Sequence, residues 1–190
     1  MQAITDTKHL TVQTLPPILV LTGEDVGQFE WLKKDILNKI GYDPSDLNYS
    51  YFDMNEASYD EVELDLVSLP FFADEKIVIL DHLLDLTTAK KRNLTDEDLK
   101  QFENYLENPS ELTRLVIFAE GKLDSKRRLV KLLKRDAQII EATTPKEQEV
   151  KRYFASQAQE LGLQFEGDSL DQLLLKSGYD FGELQKNIAL

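Results

Sequence analysis

The chain has 190 residues, enough for one medium domain or a domain with a small companion, and its 42% apolar and 30% charged content is ordinary for a soluble globular protein. It has no cysteine and two histidines, which excludes disulfides and thiolate metal sites, makes a His-based metal centre or a Ser-His-Asp triad improbable and suggests a cytoplasmic setting. A net charge of −13 argues against a surface that grips nucleic acid all over, and no apolar run approaches the roughly 18 residues of a membrane span.

Met1 to Asp6 lacks the basic region and apolar core of a signal peptide and shows no pattern. Pro16-Pro17 then introduces Ile18-Leu19-Val20-Leu21, a buried strand closed by Thr22-Gly23. A helix follows with Phe29, Leu32, Ile36, Leu37 and Ile40 on one side; Gly41 ends it and Asp43-Pro44-Ser45 makes the turn. Tyr49 to Met54 alternates and reads as a second strand. Ser58 and Glu61 have the spacing of a capping box, opening a helix whose apolar residues are Val62, Leu66 and Leu69. Leu64 has an evident place in a core, as does the third strand, Ile77 to Leu80, whose composition suits burial on both faces.

Beyond Lys90-Lys91-Arg92, Thr95 caps a helix through Leu99, Phe102 and Leu106, which Asn108-Pro109 breaks. Leu115 to Ala119 is a fourth strand. Ser125 caps a helix with Leu129, Val130, Leu132 and Leu133 inward, and Ala137 to Glu141 is a fifth strand. Alternating helices and continuous apolar strands predict an α/β domain, a three-layer parallel sheet over residues 1–142. From 143 to 190 only helical patterns remain. Thr144, Pro145 and Glu147 give a capping box, and Gly162 and Gly178 separate three helices. The last helix meets Leu190 without a stop signal, so the expectation is a small helical domain cut from a longer protein.

The first strand leads into a helix where a phosphate-binding loop belongs, around Gly23 and Gly27. Such a loop needs a lysine for phosphate and a hydroxyl for magnesium. Here neither follows Gly27, and Glu24 and Asp25 would repel an anion. Asp81 follows the third strand, where a magnesium-binding acid sits in nucleoside triphosphatases, but His82 stands in place of a second acid; a turn or capping role is the simpler reading. Asp96-Glu97-Asp98 lie in a first helical turn, where carboxylates cap. No catalytic pair and no cofactor are implied.

Charge is segregated. Asp53 to Glu75 holds eight acidic residues and no Lys or Arg, whereas Lys122 to Arg135 holds seven basic residues against Asp124 alone. Arg127, Arg128, Lys131, Lys134 and Arg135 form the basic outward face of the helix from Ser125, and Lys122, Lys126, Arg127, Arg128 and Lys131 are the candidate contacts for DNA or a partner. The face is either a solvated surface or a contact for DNA phosphate or an acidic partner.

The segment Ser68-Leu69-Pro70-Phe71-Phe72 is the most informative. Pro70 stops a helix and favours an extended chain at Leu69. The two rings after it either plug the end of the sheet or stand out as an anchor for another protein, since aromatic residues dominate protein interfaces.

Together, Val20 to Asp25, Tyr51 to Met54, Ser68 to Leu80, Gly121 to Lys131, Glu160-Leu161-Gly162-Leu163 and Gly178-Tyr179-Asp180-Phe181 resemble the delta-subunit family of the bacterial DNA polymerase III clamp loader, in its low-GC Gram-positive form. The sequence departs from the family at Gln185-Lys186-Asn187, where the last lid helix usually carries an acidic residue. The resemblance implies an AAA+-type fold with a degenerate nucleotide site and a helical lid. It implies a hydrophobic wedge of Leu69, Phe71 and Phe72, shaped by Ser68 and Pro70, that opens the sliding β clamp during DNA replication. It further implies gamma/tau and delta prime subunits as partners, DNA reached through the loader, no membrane, and no intrinsic catalysis. Two other readings stand beside it: a working P-loop ATPase, and a scaffold that uses its charged faces alone.

Overall fold

The computed structural model describes residues 1–71, 73–165 and 167–189, and side chains up to residue 187. Five strands form one parallel sheet: β1 (Ile18–Gly23), β2 (Tyr49–Asp53), β3 (Lys76–Asp81), β4 (Thr113–Glu120) and β5 (Gln138–Ala142), in the order β2-β3-β4-β1-β5. The central strands β1 and β3 are buried along their whole length, which is why their apolar runs do not alternate. Successive residues serve opposite faces. Val20, Val78, Leu80, Leu115 and Ile117 pack under α3 (Tyr59–Val67), α4 (Asp96–Glu107) and α5 (Arg128–Asp136). Leu19, Leu21, Ile79, Val116 and Phe118 pack under α1 (Gln2–Thr7) and α2 (Val26–Lys39). The expected three-layer α/β architecture is therefore present.

Local chemistry sets the element ends. Thr95 and Asp98 cap α4 reciprocally, the Thr95 Oγ1 accepting from the Asp98 N–H at 3.1 Å and the Asp98 carboxylate from the Thr95 N–H at 3.0 Å. Ser58 accepts from the Glu61 N–H at 3.4 Å, the serine half of the expected box. Two expected starts move. Ser125 does not cap α5; it lies in a turn, the N-cap is Arg127, and the Ser125 hydroxyl accepts from Lys134 Nζ at 2.8 Å instead. Thr144 likewise gives way to Lys146, whose N–H is taken by the Glu149 carboxylate at 2.9 Å, opening α6 (Glu147–Glu160).

The unpatterned start is helix α1. Its six residues are too few to show a period, and tertiary contacts hold it: Ala3 is buried and Lys39 Nζ donates to the Thr7 carbonyl at 2.8 Å. The three C-terminal helices, α6, α7 (Ser169–Lys176) and α8 (Phe181–Ala189), gather Val150, Phe154, Leu174, Phe181 and Leu184 into a small core. Ile188 was also expected inward; its side chain lies outside the described residues. That core is not closed by the three helices alone. Trp31 of α2 and Met1 and Ile4 at the N-terminus pack against it, and the Trp31 and Phe181 rings meet edge to face at 5.8 Å.

Candidate functional site

The segment 68–75 joins α3 to β3 and lies at the N-terminal edge of the sheet, opposite the edge where β1 ends in Gly23 and β3 in Asp81. Helix α3 stops at Val67; Ser68 is extended (φ −73°, ψ 154°), and Pro70 two residues on cannot extend a helix. Three of the last-turn carbonyls find donors outside the helix. That of Leu64 accepts the Ser68 N–H at 3.1 Å, that of Asp65 the Ser68 hydroxyl at 3.1 Å and Lys76 Nζ, and that of Leu66 the Thr113 hydroxyl at 3.2 Å. At the far end, Arg114 grips both Glu75 carboxylate oxygens, at 2.8 and 3.2 Å, and also donates to the Leu15 carbonyl.

Between these tethers Leu69 and Phe71 are 73% and 77% exposed. The expected helical burial of Leu69 beside Val62 and Leu66 does not occur, because the helix ends two residues before it. Phe72 lies outside the described residues. Leu64, expected in the core, is 71% exposed: Val62 and Leu66 already fill the inward stripe, and Leu64 falls between them on the outer side. Val67, three residues on and 61% exposed, adds a second apolar side chain to the exposed side of α3. Leu64 and Val67 look like core residues in sequence; their offsets from Val62 and Leu66 are the signal that they face outward. Glu61, Glu63 and Asp74 flank this stretch in sequence, while Asp65 lies 3.6 Å from Lys76 Nζ and Glu75 is held by Arg114.

The opposite edge has the place of a phosphate loop but not its geometry. Gly23, at φ +129°, exchanges backbone hydrogen bonds with Gly121 at 2.9 and 2.7 Å. A Cβ there would stand 2.2 Å from the Ala142 carbonyl oxygen, so strand β5 presses directly on the loop. The Asp25 N–H donates to that same carbonyl at 3.2 Å, and the Asp25 carboxylate caps α2 by accepting from Gln28 N–H at 2.9 Å. The chain's own carboxylate thus occupies the helix N-terminus that a phosphate would use. Gly27 faces the lid: a Cβ on it would lie 2.8 Å from the Gly182 nitrogen of α8. Gln28, buried at the same helix start, donates to the Thr143 carbonyl at 3.2 Å.

Asp81 is also committed. Its carboxylate pairs with Lys33 Nζ at 2.5 Å and accepts from the Tyr51 hydroxyl and, at 2.8 Å, from the His82 N–H, the turn bond expected of it. Burial pushes the Tyr51 hydroxyl far above its usual range, and the bond to Asp81 adds to the rise. His82 sits at φ +56° and its Nδ1 is 2.9 Å from Asp53 Oδ1. The Asp53 carboxyl is lowered chiefly by the Asn55 N–H, with His82 assisting. The side chains of Asp25 and Asp81, which stand where a triphosphate and its magnesium would be held, are instead bonded within the chain.

The basic segment divides by residue type. Arg127 sits 3.4 Å from Asp124, Arg128 2.7 Å from Glu107 and 3.6 Å from Glu103, and Arg135 2.8 Å from Asp136. Lys122, Lys126 and Lys131 have no ion pair among the described residues. Arg127 is not on a helical face as expected, because α5 begins only at Arg128, and Lys122 and Lys126 precede it. They lie in a loop pinned by the Asp124 N–H to the Leu86 carbonyl and the Thr88 N–H to the Lys122 carbonyl, both at 2.9 Å.

The family model described as "DNA polymerase III, delta subunit" matches residues 19–143. The chain is 28% identical over 141 residues to the DNA polymerase III subunit delta of Bacillus subtilis (strain 168), covering 71% of this chain and 40% of that protein. The solved structure of the B. subtilis DNA clamp loader delta protein YqeN aligns with a TM-score of 0.71 at 24% identity, over 97% of this chain and 56% of that one. The chain therefore spans less than two thirds of either relative's length.

Proposed function

The chain belongs to the DNA polymerase III delta-subunit family, and from that premise we propose that it binds the ring-shaped sliding β clamp and favours its open form, so that the ring can be loaded onto primed DNA. Leu69, Phe71 and Phe72 are the wedge, and Ser68 and Pro70 set its path. The observation that carries this reading is the exposure of Leu69 and Phe71 on a segment tethered at both ends. Large apolar side chains exposed to water gain about 1.5–3 kcal/mol each when a partner buries them. Opening follows if the wedge fits a ring conformation strained at its closed interface better than the relaxed one; only that difference in affinity shifts the ring.

No nucleotide step belongs to this subunit in the proposal. Asp25 and Gly182 fill the phosphate position and Lys33 neutralises Asp81, so ATP acts through sister subunits of the gamma/tau and delta prime kind. Residues 1–142 are assigned as the clamp-binding domain and 143–190 as a lid domain; the subunit works in the cytoplasm as a non-catalytic part of the polymerase holoenzyme. Lys122, Lys126 and Lys131 are the side chains of the basic segment left to meet DNA phosphate in the assembled loader, whereas Arg127 and Arg128 are held by acids of the chain.

The test is β-clamp binding by this chain and by a Phe71→Ala/Phe72→Ala variant, measured by surface plasmon resonance. The variant is expected to bind at least about tenfold more weakly, since 1.4 kcal/mol is a factor of ten. Equal affinities would remove the wedge assignment, and tight ATP binding with turnover by the unmodified chain would remove the nucleotide-free mechanism.

A further inference from the structure

We propose that Lys76 is a positioning residue that keeps the wedge in its binding conformation; the inference deepens the clamp reading and rests on it. Lys76 opens β3, where its N–H donates to the Leu112 carbonyl at 2.9 Å. It shares a sheet face with Val78 and Leu80, the face covered by α3. Its side chain is therefore carried beneath the end of that helix, and the residue is only 5% exposed. There Nζ donates to the Asp65 carbonyl and, at 2.6 Å, to the Ser68 hydroxyl, and lies 3.6 Å from the Asp65 carboxylate.

A buried ammonium is an expensive way to fill space, since a methionine of similar length would pack there without desolvating a charge. What the amine supplies is a choice of backbone path. Val62, Leu66 and Leu69 stand at helical spacing, and one more turn of α3 would carry Leu69 toward the buried stripe that Val62 and Leu66 occupy. Pro70 disfavours that turn but does not hold its alternative. Lys76 does. It binds the Asp65 carbonyl and the Ser68 hydroxyl together, so the chain turns out at Ser68 and Leu69 stays in water. A cation at a helix C-terminus is also favoured by the helix dipole, which secures the stop. The neighbouring strand repeats the device with Thr113 on the Leu66 carbonyl.

The test compares the unmodified chain with Lys76→Met, Ser68→Ala and the double variant. Three readouts are taken: amide exchange along residues 64–71 without partner, β-clamp affinity, and thermal unfolding. Lys76→Met is expected to speed exchange selectively at 65–69. If it lowers the fraction of chains with the wedge presented to about one tenth, the apparent Kd rises about tenfold. Ser68 is exposed, so Ser68→Ala folds and gives a second path to the same answer. Because both residues belong to one tether, the loss in the double variant should fall short of the sum of the two single losses. Unchanged exchange at 65–69, or exchange raised evenly through the chain with affinity falling only as stability falls, would overturn the assignment. Additive losses in the double variant would overturn the shared tether. An unmodified chain that fails to bind the clamp would instead refute the clamp reading, and exchange would still decide the role of Lys76.

Discussion

Replacing Gly27 by valine probes the filled phosphate position, because this glycine is retained where a nucleotide loop needs one yet faces helix α8. A Cβ at Gly27 meets the Gly182 nitrogen at 2.8 Å and its Cα at 3.0 Å, and both are backbone atoms that cannot swing aside. Valine adds two further carbons to that Cβ, so α2 and α8 must separate. Overpacking of this kind costs about 1–3 kcal/mol. The strain falls one turn from Trp31, whose ring meets Phe181 at 5.8 Å, so it is transmitted to the small helical core. At roughly 2–4 °C per kcal/mol for a chain of this size, the unfolding midpoint should fall by about 2–12 °C. Trp31 is the chain's single tryptophan, so its emission reports the α2–α8 contact and should shift to the red as the ring gains water. Gly182→Ala should act in the same direction but more weakly, since its Cβ meets the Gly27 Cα at 3.1 Å. An unshifted emission spectrum with unchanged or raised stability in Gly27→Val would refute the close helix crossing. It would also reopen the loop as a place for a ligand.

Leu64→Ser and Val67→Ser, both at exposed positions of α3, should leave the unfolding midpoint within about 2 °C yet weaken clamp binding about three- to tenfold each, consistent with partial burial of one aliphatic side chain; unchanged clamp affinity would confine the contact to the segment after α3. Lys33→Met should lower stability by about 3 kcal/mol, because the Asp81 carboxylate stays buried with only neutral donors from Tyr51 and His82; chemical denaturation checks it. Tyr51 and Tyr59 are both raised by burial, so their neutral forms stabilise the fold fully below the usual tyrosine pKa of about 10, and this contribution is lost as pH rises through and beyond it. In an absorbance titration at 295 nm they should therefore ionise together with alkaline unfolding, after the more exposed tyrosines; early, separate ionisation of Tyr51 would contradict its bond to Asp81.

Much of the framework was legible because it rests on local rules. The apolar runs at Ile18, Ile77 and Leu115 had no other use than buried parallel strands, and Thr95 with Asp98 announced a helix start through hydrogen bonds three residues apart. The missing lysine after Gly27 could be read directly from the chain. What filled the site instead could not, because Asp25, Ala142 and Gly182 meet there from three separate stretches. The start of α5 falls later than Ser125 for a related reason: the loop before it is pinned at Lys122 and Asp124 by Thr88 and Leu86, more than thirty residues away in sequence.

The sequence by itself determined the elements, the alternation that makes a parallel sheet, and a proline-bound aromatic segment whose rings either plug the sheet end or stand out. Those outcomes follow from side-chain volume, backbone restriction and hydrogen bonds between near neighbours. Only the tertiary structure decided that Leu69 leaves the helix rather than completing its stripe. The register of β3 beneath α3 places the Lys76 amine on the Asp65 carbonyl, and the lid helix crosses α2 where a phosphate would have lain. These are contacts between residues far apart in the chain, set by how helices pack on a sheet, and no local pattern encodes them.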